Sequence, residues 1–239
     1  MIVMKVAILK CDEVLEELQQ QFGDYSGMVQ HMFDVIDETF EIEVFDVRQD
    51  MYPEDIDAYD FYITTGSKAG VYEDLPWIQE FIEFIRLLDR QKKKLIGICF
   101  GHQAIAKAFG STVEKTDKGW GIGVSVNRII ARPDWMRNDL QENKSELCII
   151  VSHQDQVITL PKEALVIAES DFCPYFIVQW NSHILSIQGH PEFSRDYSRA
   201  MMERRKAIIP PKRIKAGLES LESRLNCANN KALECVLIA

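Results

Sequence analysis

The stretch Leu95-Ile-Gly-Ile-Cys99-Phe-Gly-His-Gln103 constrains this chain more than any other. The apolar run at 95–98 reads as a short buried strand, and 104–109 reads as a helix. Between them, Cys99 is flanked two residues away on each side by Gly97 and Gly101. A nucleophile at the apex of a strand-to-helix turn takes this form, because the turn leaves no room for bulky neighbours. The helix that follows aims its N-terminus at the sulfur, and its dipole and free N–H groups favour a thiolate. Cys99 is therefore expected to be a covalent nucleophile rather than an inert buried thiol.

The surrounding pattern fits such a turn. Residues 3–9, 41–47, 60–64 and 94–98 read as strands, and 26–40 and 75–88 as helices. Ser26 is the expected cap of the first helix, with Met28, Met32, Val35 and Ile36 near helical spacing, and 11–24 reads as an acidic loop. Pro76 suits the start of the second helix. This alternation predicts an α/β fold of three layers, a mainly parallel sheet with helices on both faces. From about Gly119 the pattern changes to short strands at 123–130, 147–151, 164–169, 176–180 and 184–188. These predict an added antiparallel strand region. A helix is expected at 195–206, a break at Pro210-Pro211 and an amphipathic helix at 214–225. The division expected is one domain over 1–207 and a helical extension over 208–239, packed on the same domain or at an oligomer interface such as a homodimer's.

Bulk properties exclude several classes. A net charge of −10 argues against nucleic acid or an anionic membrane as the main partner. No apolar run approaches a membrane span, and the apolar N-terminus lacks a cationic n-region, so it reads as a first strand. The six cysteines show no regular framework, so free thiols in the cytoplasm are expected.

A cysteine nucleophile needs a base and a group that orients it. Of the five histidines, His31 reads as a surface residue of a helix, His183 as a solvated turn residue, and His102 as a packing residue beside the elbow. His190 stands apart, in Gln188-Gly-His190-Pro-Glu192. Pro191 holds His190 out of the helical region, and in extended chain residues two apart share a face. Imidazole and carboxylate should then lie side by side, as base and orienter for Cys99. His153 and Asp155 could form a metal pair, but a hydrogen-bonded turn is the preferred reading, so no metal is expected.

Gly97-Ile-Cys-Phe-Gly-His-Gln103 together with Gly189-His-Pro-Glu192 resembles the class I, or triad, glutamine amidotransferases. The likeness is nearest to the amidotransferase domain of GMP synthase and to the γ-glutamyl peptidases. Thr64-Thr-Gly-Ser67, Trp120-Gly-Ile-Gly123 and Ser152-His-Gln-Asp155 extend it to about residues 5–205. The resemblance implies a flavodoxin-like sheet, a Cys99–His190–Glu192 triad, and an oxyanion hole from N–H groups of Gly66 or Ser67 and of Phe100. It also implies Gln103, His153 and Asp155 as substrate contacts. Two departures stand out. The oxyanion loop reads Gly66-Ser-Lys68 where GMP synthase-type domains usually carry Gly-Gly-Pro, and no ATP-pyrophosphatase domain is visible in the chain.

The chemistry implied is hydrolysis of the γ-amide of glutamine, or of a γ-glutamyl amide, through a thioester on Cys99 and without a cofactor. The loop 68–74 borders the site and would shape acceptor choice. A glutaminase feeding a separate synthetase subunit and a free-standing γ-glutamyl peptidase are the two enzymatic readings. A non-catalytic partner module is the third, and the intact Cys, His and Glu argue against it. The basic stretch Arg204-Arg-Lys206…Lys212-Arg-Ile-Lys215 reads as a solvated helix end, with a docking surface as the alternative.

Overall fold

A computed structural model describes residues 3–34, 39–136 and 146–224. The first half alternates strand and helix: β1 (Val3–Lys10), α1 (Glu16–Phe22), α2 (Tyr25–Phe33), β2 (Thr39–Asp46), β3 (Phe61–Thr64), α3 (Pro76–Arg90), β4 (Lys94–Ile98) and α4 (Phe100–Ala108). The second half is mostly strand: β5 (Val113–Lys115), β6 (Gly121–Ile129), β7 (Glu146–His153), β8 (Asp155–Val157), β9 (Leu165–Glu169), β10 (Ile177–Gln179) and β11 (Ile184–Ile187), then α5 (Arg195–Arg204) and α6 (Pro211–Ser223).

One sheet runs in the order β2-β1-β3-β4-β11-β10-β9-β6-β7. Its β1–β2, β1–β3, β3–β4 and β4–β11 pairings are parallel. The β10–β11, β9–β10, β6–β9 and β6–β7 pairings are antiparallel. β5 and β8 form a separate antiparallel pair. The parallel strands are covered on both faces, as their apolar runs require. Val6, Ile8, Phe61, Ile63, Ile96 and Ile98 face the cluster that includes Val29, Met32 and Phe33 of α2. The alternate residues Ala7, Leu9, Tyr62 and Leu95 face the cluster built on α3 and α4. Helices α1, α5 and α6 contribute to a third cluster, with Tyr25 and Ile150.

Several sequence expectations need correction. Residues 16–22 form α1 rather than loop, with Leu18 buried and five Gln and Glu side chains masking its apolar face from periodicity. Asp24, not Ser26, caps α2, its carboxylate accepting from Gly27 N at 2.7 Å. That helix ends at Phe33, and Thr39 and Phe40 belong to β2, where pairing with Val3 and Met4 overrides local helical spacing. Val35 and Ile36 lie outside the described residues. The strand expected at 184–188 among the antiparallel strands pairs antiparallel to β10 on one side but parallel to β4 on the other. The two C-terminal helices are separate, but the second begins at Pro211 rather than at 214, with proline in the position where a missing N–H costs nothing. His183 is half-buried and bonds Asp89 at 3.0 Å instead of being solvated. Cys11, Cys99 and Cys173 are free thiols, but Cys148 is disulfide-bonded. The tail beyond Arg224 lies outside the described residues.

α6 packs along β6 and against α5. Its buried Ile214, Gly217 and Leu221 set the contact. No helix among the described residues is long and apolar enough to cross a membrane.

Candidate active site

β4 delivers the chain to the elbow and α4 begins at once, with Cys99 as its N-cap. Cys99 adopts φ 49° and ψ −97°, a left-handed conformation that costs a non-glycine residue about 1–3 kcal/mol. The neighbourhood holds it there. Cys99 N donates to Ile187 O of β11 at 2.8 Å, and Ile98 N donates to Thr64 Oγ1 at 3.0 Å. The same hydroxyl explains Gly101: a Cβ at that position would lie 1.7 Å from Thr64 Oγ1. The Gly-x-Cys-x-Gly spacing therefore records a steric requirement between the elbow and the end of β3.

His190 follows β11, which runs parallel beside β4, so the two segments end at the same sheet edge. Its backbone N donates to Ile150 O of β7 at 2.7 Å. Its imidazole stacks on Phe193, with centroids 3.9 Å apart and planes 7° apart. His190 Nδ1 and Glu192 Oε1 are 2.7 Å apart, both residues being buried. The two-residue alternation thus gives the contact the sequence anticipates. Burial acts to lower the His190 pKa, but Cys99 and Glu192 outweigh it and raise it to about 10. Gly66 lies between the partners: a Cβ there would be 2.8 Å from His190 Cε1 and 3.7 Å from Cys99 Cβ.

The oxyanion candidates converge on the same place. Lys68 N donates to Asp12 Oδ2 at 2.8 Å, Ala69 N to Ser67 Oγ at 3.2 Å, and Gly70 N to Glu73 Oε1 at 2.5 Å. The N–H groups of Gly66 and Ser67 have no acceptor among the described residues. Phe100 is the first residue of α4, so its N–H has no partner within the helix.

The three expected substrate contacts lie together. Gln103 Nε2 donates to Asp155 O at 3.0 Å and to Gln188 Oε1 at 3.2 Å. His153 Nδ1 bonds Asp155 O at 3.1 Å, the hydrogen-bonded turn preferred over a metal pair. Burial first, and then His190, lower the His153 pKa to about 4 despite the bond to Asp155. Burial raises the Asp155 carboxyl. Tyr72 Oη, on the loop after β3, donates to Asp155 Oδ2 at 3.1 Å and so ties that loop to this turn. Asp155 Oδ1, His153 Nε2 and Glu192 Oε2 are buried without a partner among the described residues.

His102 is fully buried behind the elbow, with Nδ1 2.7 Å from Ser186 Oγ. Trp180 Nε1 donates to that same oxygen at 2.7 Å. Burial, with His153 as the lesser cause, lowers its pKa to about 3, so His102 is neutral.

The family can now be read from the whole chain. The model of the family "Glutamine amidotransferase class-I" matches residues 25–209. The chain belongs to the class I glutamine amidotransferase family. It is 32% identical over 190 residues to Gamma-glutamyl peptidase 3 of Arabidopsis thaliana, covering 78% of this chain and 75% of that protein. It is 32% identical over 132 residues to GMP synthase (glutamine-hydrolyzing) of Thermosipho africanus, 54% of this chain and 23% of that one. A crystal structure of a glutamine amidotransferase from Thermotoga maritima matches its fold with a TM-score of 0.73 at 21% identity, over 98% of this chain and 95% of that one.

Two residues that shape the site escaped the sequence reading. Gln188 Nε2 donates to Cys99 Sγ at 3.6 Å. It lies two residues before His190, so the alternation that found Glu192 could have found it too. Asp12, which holds Lys68 N, is 56 residues from its partner and carries no local signal.

Proposed function

We propose that this amidotransferase hydrolyses γ-glutamyl amide bonds through a covalent thioester on Cys99. One observation carries the reading: the His190–Glu192 contact of 2.7 Å, with that imidazole against the Gly66 edge of a strained Cys99 elbow. The Cys99 thiolate attacks the γ-carbonyl carbon, a C–S bond forms, and the carbonyl π electrons move to oxygen. N–H groups of Phe100 and of Gly66 or Ser67 hold that oxyanion, a donor of this kind being worth about 2.7–4 kcal/mol. The C–N bond then breaks, and the amine leaves with the proton from His190. Water, deprotonated by His190, attacks the thioester carbonyl, the C–S bond breaks, and glutamate departs, leaving the sulfur as thiolate beside the protonated His190 as at the start. Glu192 orients the imidazole and stabilises its charged form throughout.

Asp155 Oδ1 is a buried carboxylate oxygen without a partner among the described residues, beside the Gln103 amide. It suits the α-ammonium of a glutamyl group, with Gln103 and the His153 turn setting its position. The similarity to Gamma-glutamyl peptidase 3 favours γ-glutamyl peptides over free glutamine as the substrate. Delivery of ammonia to a separate synthetase subunit is the second reading, supported by the likeness to GMP synthase.

Glutamate release from glutamine and from γ-glutamyl dipeptides, wild type against Cys99→Ala, tests the proposal. Turnover of dipeptides with little glutaminase activity supports the peptidase. Absence of any Cys99-dependent release, with or without added cell extract, would remove the enzymatic reading.

A further inference from the structure

The structure sorts the basic stretch near the C-terminus into two groups. Lys206 pairs with Glu203, Lys215 with Glu219 at 3.8 Å, and Arg204 with Glu17 at 3.9 Å. Arg205 donates to Ser152 Oγ at 3.1 Å and lies 6.0 Å over the Trp120 ring. Lys212 and Arg213 behave differently. Neither meets a carboxylate among the described residues, in a protein of net charge −10. Both stand in the first turn of α6; that turn has no acidic residue, and the helix has no side-chain cap. The dipole opposes cations there, so two of them in that turn are locally unfavourable without an external anion.

These two side chains line a cavity of about 730 Å³. Lys118 also lines it, its Nζ held by Asp171 O at 2.8 Å and Phe172 O at 3.0 Å rather than by a carboxylate. Arg213 is held in turn by Lys118 O at 2.7 Å and by the Phe172 ring at 5.7 Å. Trp120, Ile208 and Ala216 supply an apolar wall, and no acidic residue among the described residues lines the cavity. Its volume is that of a small-molecule site, and a few fixed polar groups on an apolar wall are what such sites contain. Gln154, next to the turn that holds Gln103, forms part of the rim.

We propose that this cavity binds a small organic polyanion, its phosphate or carboxylate groups on Lys118, Lys212 and Arg213 and its apolar body against Trp120. The site is separate from the Cys99 centre and stands whether or not the hydrolytic reading holds.

The test is calorimetric and fluorimetric titration of the full chain with sodium tripolyphosphate and with citrate at about 0.15 M salt, where exposed charges are screened beyond about 8 Å. Saturable binding of one equivalent is expected, with a change in tryptophan emission. The stronger probe identifies the head group as phosphate or carboxylate. The double variant Lys212→Glu/Arg213→Glu should bind at least roughly tenfold more weakly, the loss expected for a charge-assisted hydrogen bond. Ala216→Trp, which fills the cavity from an exposed helix position without altering charge, should abolish binding even if the double variant folds poorly. Lys206→Glu/Lys215→Glu, which alters cations outside the cavity, should change affinity by no more than about twofold. No saturable binding of either probe, or equal binding by wild type and Ala216→Trp, would overturn the proposal.

Discussion

The side-chain N–H of Gln188 points at Cys99 Sγ from 3.6 Å, while its carbonyl oxygen accepts from Gln103 at 3.2 Å. Gln103 is itself anchored on Asp155 O, so the amide facing the sulfur has one settled orientation. A donor aimed at a sulfur favours its anionic form. Gln188→Met keeps the volume and removes the donor. Alkylation of Cys99 by iodoacetamide near neutral pH should slow roughly tenfold, with kcat falling in parallel, the scale of a hydrogen bond to a charged group. An unchanged alkylation rate, with circular dichroism intact, would show that the contact is packing only.

The elbow stores strain that a glycine would release. Cys99 sits at φ 49°, which glycine reaches without steric cost. Cys99→Gly is therefore expected to be more stable than Cys99→Ala by about 1 kcal/mol in urea unfolding, although both are inactive. Equal stability would mean that the turn relaxes once the thiol is removed.

Asp12 holds the loop that carries the oxyanion candidates. Its carboxylate accepts from Lys68 N at 2.8 Å and lies 3.3 Å from Lys68 Nζ and 3.5 Å from Arg48 Nη1. A proline at 68 would have no N–H to offer; with lysine there, the loop is tied to the end of β1. Asp12→Ala should lower kcat roughly tenfold while KM changes little, because a misplaced oxyanion donor affects the transition state more than substrate binding. Asp12→Asn should recover part of that loss. A change confined to KM would place the effect in substrate binding instead.

The buried histidines give opposite pH signatures. His190 has a folded-state pKa raised from 6.5 to about 10, so its contribution to stability is fully present below about 6.5 and lost as pH rises through about 10. His102, depressed from 6.5 to about 3, contributes above 6.5 and loses that contribution as pH falls toward 3. NMR titration should find His190 protonated at neutral pH, and Cys99→Ala should lower its pKa by removing a partner that supports the charge. His102→Gln should flatten the acid limb of the stability curve. A wild-type His190 titrating near 6.5 would contradict the first expectation, and an unaltered acid limb the second.

The helix after Pro210 is proposed to belong to the same folding unit as residues 1–207. Gly217 packs so closely on Met202 and Ile122 that a Cβ would lie 2.8 Å from Met202 Sδ. Val124 N donates to Ser220 Oγ at 2.9 Å. Deleting 208–239 should lower the melting temperature by at least about 5 °C, since each large apolar side chain re-exposed costs roughly 1.5–3 kcal/mol. A truncated chain that melts unchanged but elutes at a smaller oligomeric size would move the role of α6 to an interface.

Short-range features were legible because they arise from local physics. The glycines around Cys99 mark a steric limit at one turn, and His190 and Glu192 share a face because extended chain alternates. β4, β6 and α3 were anticipated from their patterns to within about two residues. The errors came where distant partners decide. Thr39 and Phe40 continue a helical pattern but are drawn into β2 by β1, and α1 shows too few apolar residues to be recognised without the cluster it packs against.

The sequence by itself determined the alternation of elements, the strained position of Cys99 and the pairing of His190 with Glu192, since each follows from spacing within a few residues. Only the tertiary structure decided that β11 lies parallel to β4, so that His190 and Cys99 meet at one sheet edge. It alone also brought Gln188 to the sulfur and Asp12 to Lys68, 89 and 56 residues apart in the chain. Contacts across such separations depend on how whole strands are ordered in the sheet, and no local pattern of residue types encodes that order.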